Sequence, residues 1–496
     1  MNYQSTRNRL ETVSSTQAVL QGLASDGGLF IRRDLSDIGF DWKAAIGKDV
    51  YGMAEQILGA LLPEFENMPG LVKKAYTGKF TAPDLTPLAK VGDNYILELF
   101  RGPTSAFKDV ALSMLPQLIT AAKAQQAQKE EIVILTATSG DTGKAALEGF
   151  HDVDGTKIIV FYPNDGVSAV QKAQMVTQEG SNVCVCAVNG NFDDAQTGVK
   201  NAFSACSDGT LLKGKNAVLS SANSINIGRL APQVVYYFKA YADLVKCGRI
   251  SVGDRIDFVV PTGNFGDILA GYFAKLLGLP VGRLVCASNA NDVLTDFIRT
   301  GVYDRRRTFY RTLSPSMDIL VSSNLERLLF LLADCDDRRI ADYMSQLRDA
   351  GMYRISDEML KKLQEDFWAG CTDDNGTKDA IGKVWKEHHY LCDTHTAVAW
   401  AVAEQYRRET ETDRAVVVLS TASPYKFPVA VLEAIGESYD GDEFAAMEKL
   451  HAVTGVDIPK NLASLRDKTV RHTDVIEKDQ ILDYVLQKIS EKNWAK

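Results

Sequence analysis

Lys108 is the residue of this chain best placed to do chemistry. It lies in GPTSAFKDVAL, residues 102–112, where a short turn-forming segment gives way to an apolar-periodic helix. An amine delivered by a tight loop to a helix start is well placed for burial. Burial disfavours the ammonium form and makes the lysine a nucleophile or base. The plain alternative is a solvated lysine in a first helical turn, and context decides against it. Three more Gly- or Ser-rich turns each follow an apolar run: TATSGDTG (136–143), PTGNFGD (261–267) and STASPYKF (420–427). A lysine able to form an imine, a phosphate cradle and a partner for a ring nitrogen are what pyridoxal 5′-phosphate needs from a protein.

Each turn has its own chemistry. In PTGNFGD, Gly263 and Gly266 permit positive φ and close backbone approach ahead of the helix DILAGYFAKLLG. Successive N–H groups at a helix start favour an anion. No GxxxxGK[ST] occurs there, so this is not a nucleotide P-loop. In TSGDTG, the hydroxyls of Thr138, Ser139 and Thr142 suit a carboxylate or phosphate, and there are more of them than one helix cap uses. Asp141 sits among them and needs a facing cation. The ammonium of Lys108, or an imine formed on it, is the expected partner. SSANSINIGRL (220–230) offers Asn223, Ser224, Asn226 and Arg229, the last able to grip phosphate bidentately. Ser420 or Thr421 could meet a ring nitrogen.

The elements that position these turns follow from periodicity. Apolar runs at 95–100, 131–135, 157–163, 182–188, 216–221, 255–261, 283–288 and 414–420 alternate, for the most part, with helical segments. That rhythm predicts parallel sheets covered on both faces, with ligands beyond the carboxyl ends of the strands. Residues 1–93 read as a mainly helical N-terminal domain, 94–230 as a smaller α/β domain and 231–435 as a larger one. A charged helical insertion falls near 300–380, and 436–496 reads as a C-terminal appendage. Pro116 is expected to kink the helix that starts at Lys108. Arg305–Arg307 read as a solvated helix face in preference to a phosphate patch.

A chain of 496 residues is too long for a single core. Its net charge of −9 argues against nucleic acid as the main partner. No apolar run approaches the ~18 residues of a membrane span, and the N-terminus lacks the apolar core of a secretory signal. The cysteines form no C-x-x-C pair and read as reduced core residues; no metal-binding spacing is present.

In order, GPTSAFKD, ATSGDTGKAAL, SANSINIGRLAPQ, PTGNFGDILAGYFAKLLGLP, SSNLERLLF, DTHTAV and STASPYKF resemble the threonine synthases. YQSTRN and GLASDGGLF are similar to the long bacterial and fungal branch of that family. The resemblance implies fold type II: two parallel-sheet α/β domains with pyridoxal phosphate in the cleft. It implies O-phospho-L-homoserine as substrate and L-threonine and phosphate as products. Lys108 would carry the cofactor. Thr262, Gly263, Asn264, Phe265 and Gly266 would hold its phosphate, and Asp141 would lie near its 3′-oxygen. Thr421 would meet the ring nitrogen, with Ser420 ranked behind it. Thr138, Ser139 and Thr142 would take the substrate carboxylate. Ser224, Asn226 and Arg229 would take the substrate phosphate. The family also implies a cytoplasmic monomer or weak homodimer. Two departures stand out: TASPYKF places Ser423 where a histidine is usual, and NSINIGR lacks the aromatic of NSINWAR. A phospho-lyase of the same family, yielding 2-oxobutyrate, and a non-catalytic ligand-binding protein of this fold remain as alternatives.

Overall fold

The computed structural model describes residues 3–206, 209–491 and 494. Two parallel sheets dominate it. The smaller runs, edge to edge, Asp474–Glu477, Val183–Asn189, Thr156–Pro163, Glu131–Ala137 and Ala217–Ser221, and every pairing is parallel. The larger runs Phe367–Cys371, Val281–Ser288, Ile256–Pro261, Val416–Ser420, Asn94–Glu98 and Leu88–Val91; only the last pairing is antiparallel. Apolar side chains on the inner strands are buried on both faces, as strands flanked by helices require.

This topology explains why the special turns meet. Ile256–Pro261, Val416–Ser420 and Asn94–Glu98 are consecutive in the larger sheet, so the loops leaving their carboxyl ends emerge side by side. Those loops are the glycine turn, the STAS segment and the Lys108 loop. In the smaller sheet, Glu131–Ala137 and Ala217–Ser221 are neighbours and release the TSGDTG and SANSINIGR turns. The strand Asn94–Glu98 thus belongs to the larger sheet, although the division at residue 93 assigns it to the smaller domain. The chain reaches the larger sheet first, leaves it to build the smaller one, and returns.

The N-terminal region is helical at Ser15–Gln21, Val50–Leu61 and Met68–Tyr76, and also forms a small antiparallel sheet from Tyr3–Ser5, Thr12–Val13 and Phe30–Ile31. The 300–380 region carries the expected helices, and it supplies Phe367–Cys371 as an edge strand of the larger sheet. Arg305–Arg307 follow the strand Val302–Asp304 in an irregular segment and lie on no helix. Arg306 pairs with Asp304 and Arg307 with Asp292 and Asp296. The C-terminal segment is no loose appendage, since Asp474–Glu477 extends the smaller sheet.

One helix runs unbroken from Lys108 to Gln125 through Pro116. Proline has no N–H to give the carbonyl four residues back, that of Leu112. Gly149 of the neighbouring helix Asp141–Phe150 comes against that oxygen so closely that a Cβ there would lie 2.0 Å from it. Proline on one helix and glycine on the other therefore permit a close crossing.

Candidate active site

The loop before Lys108 is held in place from several directions. Asp109 turns back to accept from Thr104 N (2.9 Å) and Thr104 Oγ1 (2.5 Å), folding the loop over the helix start. Phe107 N donates to Thr421 O (2.8 Å) and Ser423 N to Ser105 O (3.1 Å), so the STAS segment grips the loop through backbone. Ser105 has φ +59, a left-handed conformation that persists in a non-glycine residue only where surroundings impose it. Asn461 contributes from the C-terminal segment: its Nδ2 donates to Pro103 O (2.9 Å), and its Oδ1 accepts from Ser105 Oγ (3.1 Å). Lys108 emerges 7% exposed, its ammonium 4.5 Å from the Phe107 ring centroid. Burial lowers its pKa to about 8, with Asp141 opposing and Arg229 and Lys426 reinforcing the shift. An appreciable fraction is therefore a free amine near neutrality.

Lys108 Nζ lies 3.6 Å from Asp141 Oδ2. The expected cation beside Asp141 is present, and so is a second one that sequence reasoning missed. Lys426 of STASPYKF is 0% exposed and places its Nζ 2.5 Å from Asp141 Oδ1, which also accepts from Gln171 Nε2 (2.9 Å). Burial would raise the Asp141 pKa, but the two lysines hold it well below the usual carboxylate range.

The other TSGDTG side chains divide their work. Thr138 Oγ1 accepts from Gly140 N (2.9 Å) and Gly143 N (2.8 Å), capping the helix Asp141–Phe150. Ser139 and Thr142 are left half-buried at the pocket wall. Thr142 Oγ1 lies 3.4 Å from Arg229 Nη2. The remaining hydrogen bond of the Arg229 guanidinium goes to Ala222 O (2.7 Å). Both partners are neutral, and burial lowers the Arg229 pKa to about 10. A buried guanidinium answered, among the described residues, only by neutral oxygens is primed for an anion. Asn223 and Ser224 line the same edge, and Asn223 Oδ1 is buried without a partner among the described residues.

Asn226 does not join them. It is fully buried and bonds Val19 O (2.9 Å), Ser221 O (3.1 Å) and Gly228 N (2.9 Å). Its amide is spent capping a short helix and joining the N-terminal region to the smaller domain. Ser224 and Arg229 are left at the pocket lining without it.

Across the pocket, the 262–266 turn works through backbone. Phe265 adopts φ +60 and the helix Gly266–Leu276 begins immediately after it. Ser322 Oγ donates to Gly263 O (2.8 Å), and Asn324 N and Nδ2 both donate to Asn264 O (3.1 Å). These bonds pin the carbonyls of the turn, and Thr262 N donates to Ala287 O (2.9 Å). SSNLERLLF is thus the buttress of the cradle. A Cβ on residue 263 would lie 2.6 Å from Ser316 O. Ser316 N in turn donates to His395 Nε2 (3.2 Å), while His395 Nδ1 faces Asp393 Oδ2 at 2.7 Å. His395 and Asp267 line the pocket too, and neither stood among the expected site residues. DTHTAV was the visible trace of the first.

Thr421 faces the pocket, whereas strand alternation turns Ser420 away to pair with Thr396 Oγ1 at 2.9 Å. Ser423 is buried and caps a short turn by accepting from Tyr425 N (3.3 Å). It takes no place in the pocket lining.

Pyridoxal phosphate suits these residues on chemical grounds. The cradle at 263 has no room for a side chain, a helix start favours the phosphate, and a lysine amine of lowered pKa faces it. The pocket between two parallel sheets is that of a fold-type-II pyridoxal-phosphate enzyme. Comparison with known proteins agrees. Residues 77–421 match the family of pyridoxal-phosphate dependent enzymes, residues 2–76 the threonine synthase N terminus, and residues 396–485 the threonine synthase C-terminal region. The chain belongs to the threonine synthase family, and pyridoxal phosphate is its cofactor.

Threonine synthase of Pseudomonas aeruginosa is 38% identical over 444 residues, covering 88% of this chain and 91% of that protein. The human threonine synthase-like 1 is 39% identical over 434 residues, covering 85% of this chain, which spans 58% of that relative's length. The crystal structure of PLP-bound threonine synthase from Brucella melitensis superposes with a TM-score of 0.84 at 35% identity, covering 99% of both chains. Yeast threonine synthase gives 0.83 at 32% identity, covering 98% of both.

Proposed function

We propose that this site converts O-phospho-L-homoserine and water into L-threonine and phosphate. The observation that carries the reading is Arg229, a buried guanidinium whose hydrogen bonds, among the described residues, go only to neutral oxygens. It lies in the stretch that follows Ala217–Ser221, on a different segment of the pocket lining from the backbone cradle that suits the cofactor phosphate. A substrate with a second phosphate ester answers that charge.

Bound pyridoxal phosphate supplies the electron sink for negative charge developing on the substrate carbons. The chain's own residues do the rest. Ser139 and Thr142 bind the substrate carboxylate, with Thr138 ordering the turn beneath them. Arg229 and Ser224 hold the phosphate, orient it for departure from Cγ and offset its charge as it leaves. Lys108 Nζ, with its pKa near 8, would accept the proton from Cα, give it up again and, as a free amine once more, accept the one from Cβ. Water then adds at Cβ. Thr421 offers the ring nitrogen a hydroxyl, which leaves that nitrogen largely uncharged.

The deciding experiment supplies phosphohomoserine to the cofactor-loaded protein, counts phosphate and identifies the organic product. Threonine formed in equal amount to phosphate is expected. Phosphate accompanied by 2-oxobutyrate would replace this reading with a phospho-lyase. Absence of phosphate release would remove both.

A further inference from the structure

A lysine that does chemistry must move. Lys108 leaves Asp141 whenever its amine is engaged elsewhere, and a carboxylate paired with it alone would then be a buried, unanswered charge. Asp141 is 2% exposed, so water cannot take over. The structure holds a second cation there that does not take part in the chemistry. Lys426 Nζ sits 2.5 Å from Asp141 Oδ1 on the side away from the Lys108 contact, which is made by Oδ2. Lys426 Nζ also donates to Thr104 O (3.3 Å), in the loop that delivers Lys108. Gln171 Nε2 completes the grip on Oδ1.

We propose that Lys426 is the positioning residue of the catalytic lysine, a fixed counter-ion that keeps Asp141 ionised and oriented while Lys108 comes and goes. The inference rests on Lys108 being the cofactor lysine. Asp141 with Lys426 forms a neutral pair, so Lys108 feels a smaller field from that side than Asp141 alone would exert. The other charged groups are accounted for. Asp109 faces Lys426 from the Lys108 helix, while Arg229 and Asp267 act on Lys108 from the smaller and larger domains.

The charge pairing predicts a pattern that a merely structural lysine would not produce. In cofactor-loaded protein, the absorbance of the lysine–cofactor linkage is titrated with pH. Lys426→Met leaves Asp141 unneutralised beside the linkage and should raise its midpoint by about one pH unit or more. Asp141→Asn leaves Lys426 unneutralised and should lower it. The double variant, Lys426→Met with Asp141→Asn, restores a neutral pair and should return the midpoint close to that of the parent. Lys426→Arg keeps the charge and should stay nearest the parent among single variants. If Lys426→Met does not fold but the double variant folds and titrates like the parent, the pairing is supported. An unmoved midpoint in Lys426→Met, a double variant that titrates like either single, or failure of both to fold overturns the proposal. Loss of the Lys108 assignment would look different: the parent protein itself would show no linkage at Lys108 by peptide mass.

Discussion

Two aspartates hold the same local address in the two halves of the molecule, yet their surroundings push them in opposite directions. Asp141 follows Gly140 at the start of the helix behind the TSGDTG turn; Asp267 follows Gly266 in the first turn of the helix behind the GNFG turn. Both are buried pocket residues. Both sit where a helix dipole favours an anion. Asp141 faces two lysine ammoniums and is held strongly acidic. Asp267 faces two phenols, accepting from Tyr236 Oη (2.6 Å) and Tyr237 Oη (2.9 Å), and burial raises its pKa to about 6. Partner charge, not position in the helix, decides the sign. The smaller domain brings the buried charges of Asp141 and Arg229 to the pocket, and the larger domain brings the 262–266 turn.

The largest break in that contrast is Lys108→Ala, which leaves Asp141 with Lys426 alone. Phosphate release should fall by at least about a thousandfold, and the linkage absorbance should vanish. A variant that released phosphate at the parent rate would end the assignment of Lys108. Arg229→Ala acts on the side-chain half only. It should raise KM for phosphohomoserine about tenfold to a hundredfold while leaving the cofactor Kd unchanged. Gly263→Ala acts on the backbone half, since its Cβ would meet Ser316 O at 2.6 Å. It should weaken cofactor binding by about tenfold, measured by equilibrium dialysis, with little further loss in substrate use once saturated. If Arg229→Ala and Gly263→Ala harm both ligands equally, the two halves are not separate binding devices.

The same contrast explains what could be read from sequence. The GNFG turn is legible as a turn because its geometry is local: glycines, a preceding apolar strand and a following helix are all contiguous. Lys108, Thr142, Ser224, Arg229 and Thr421 reach the pocket as expected, because each stands in a turn at a strand's carboxyl end. Lys426 escaped notice because nothing local distinguishes it from a solvated lysine. Its burial depends on meeting Asp141 from the other domain. Asn226 misled for the reverse reason, since an amide in an anion turn looks available until the N-terminal helix at Ser15–Gln21 is packed against it. Asp474–Glu477 sets two adjacent apolar residues between two acidic ones and exposes Val475; it becomes a strand only because Val183–Asn189 offers it an open edge. The membership of Asn94–Glu98 in the larger sheet is a matter of topology, to which periodicity is blind.

The smallest expected effect is the sharpest test of the two aspartates. A carboxyl whose folded pKa is raised to about 6 keeps a proton, between pH ~4 and ~6, that the unfolded chain has already released. Its contribution to stability therefore falls as pH rises through that window and is level above it. A rise of that size corresponds to at most about 3 kcal/mol. Asp109, also raised to about 6 by burial, slopes the same way. Asp141 slopes oppositely: its stabilisation is complete above the usual carboxylate pKa and is lost as pH falls through its own, lower value. Asp267→Asn removes one of the falling contributions, to which Asp243 and Asp318, also raised by burial, add in the same sense, and retains an oxygen for both tyrosines to donate to. Melting temperature followed from pH 4 to pH 7 should therefore drop less steeply in Asp267→Asn than in the parent, by a few degrees across the range, with the Asp109 slope remaining. A variant with the parent's slope would mean that Asp267 is ionised throughout, and the opposition between the two helix starts would be lost.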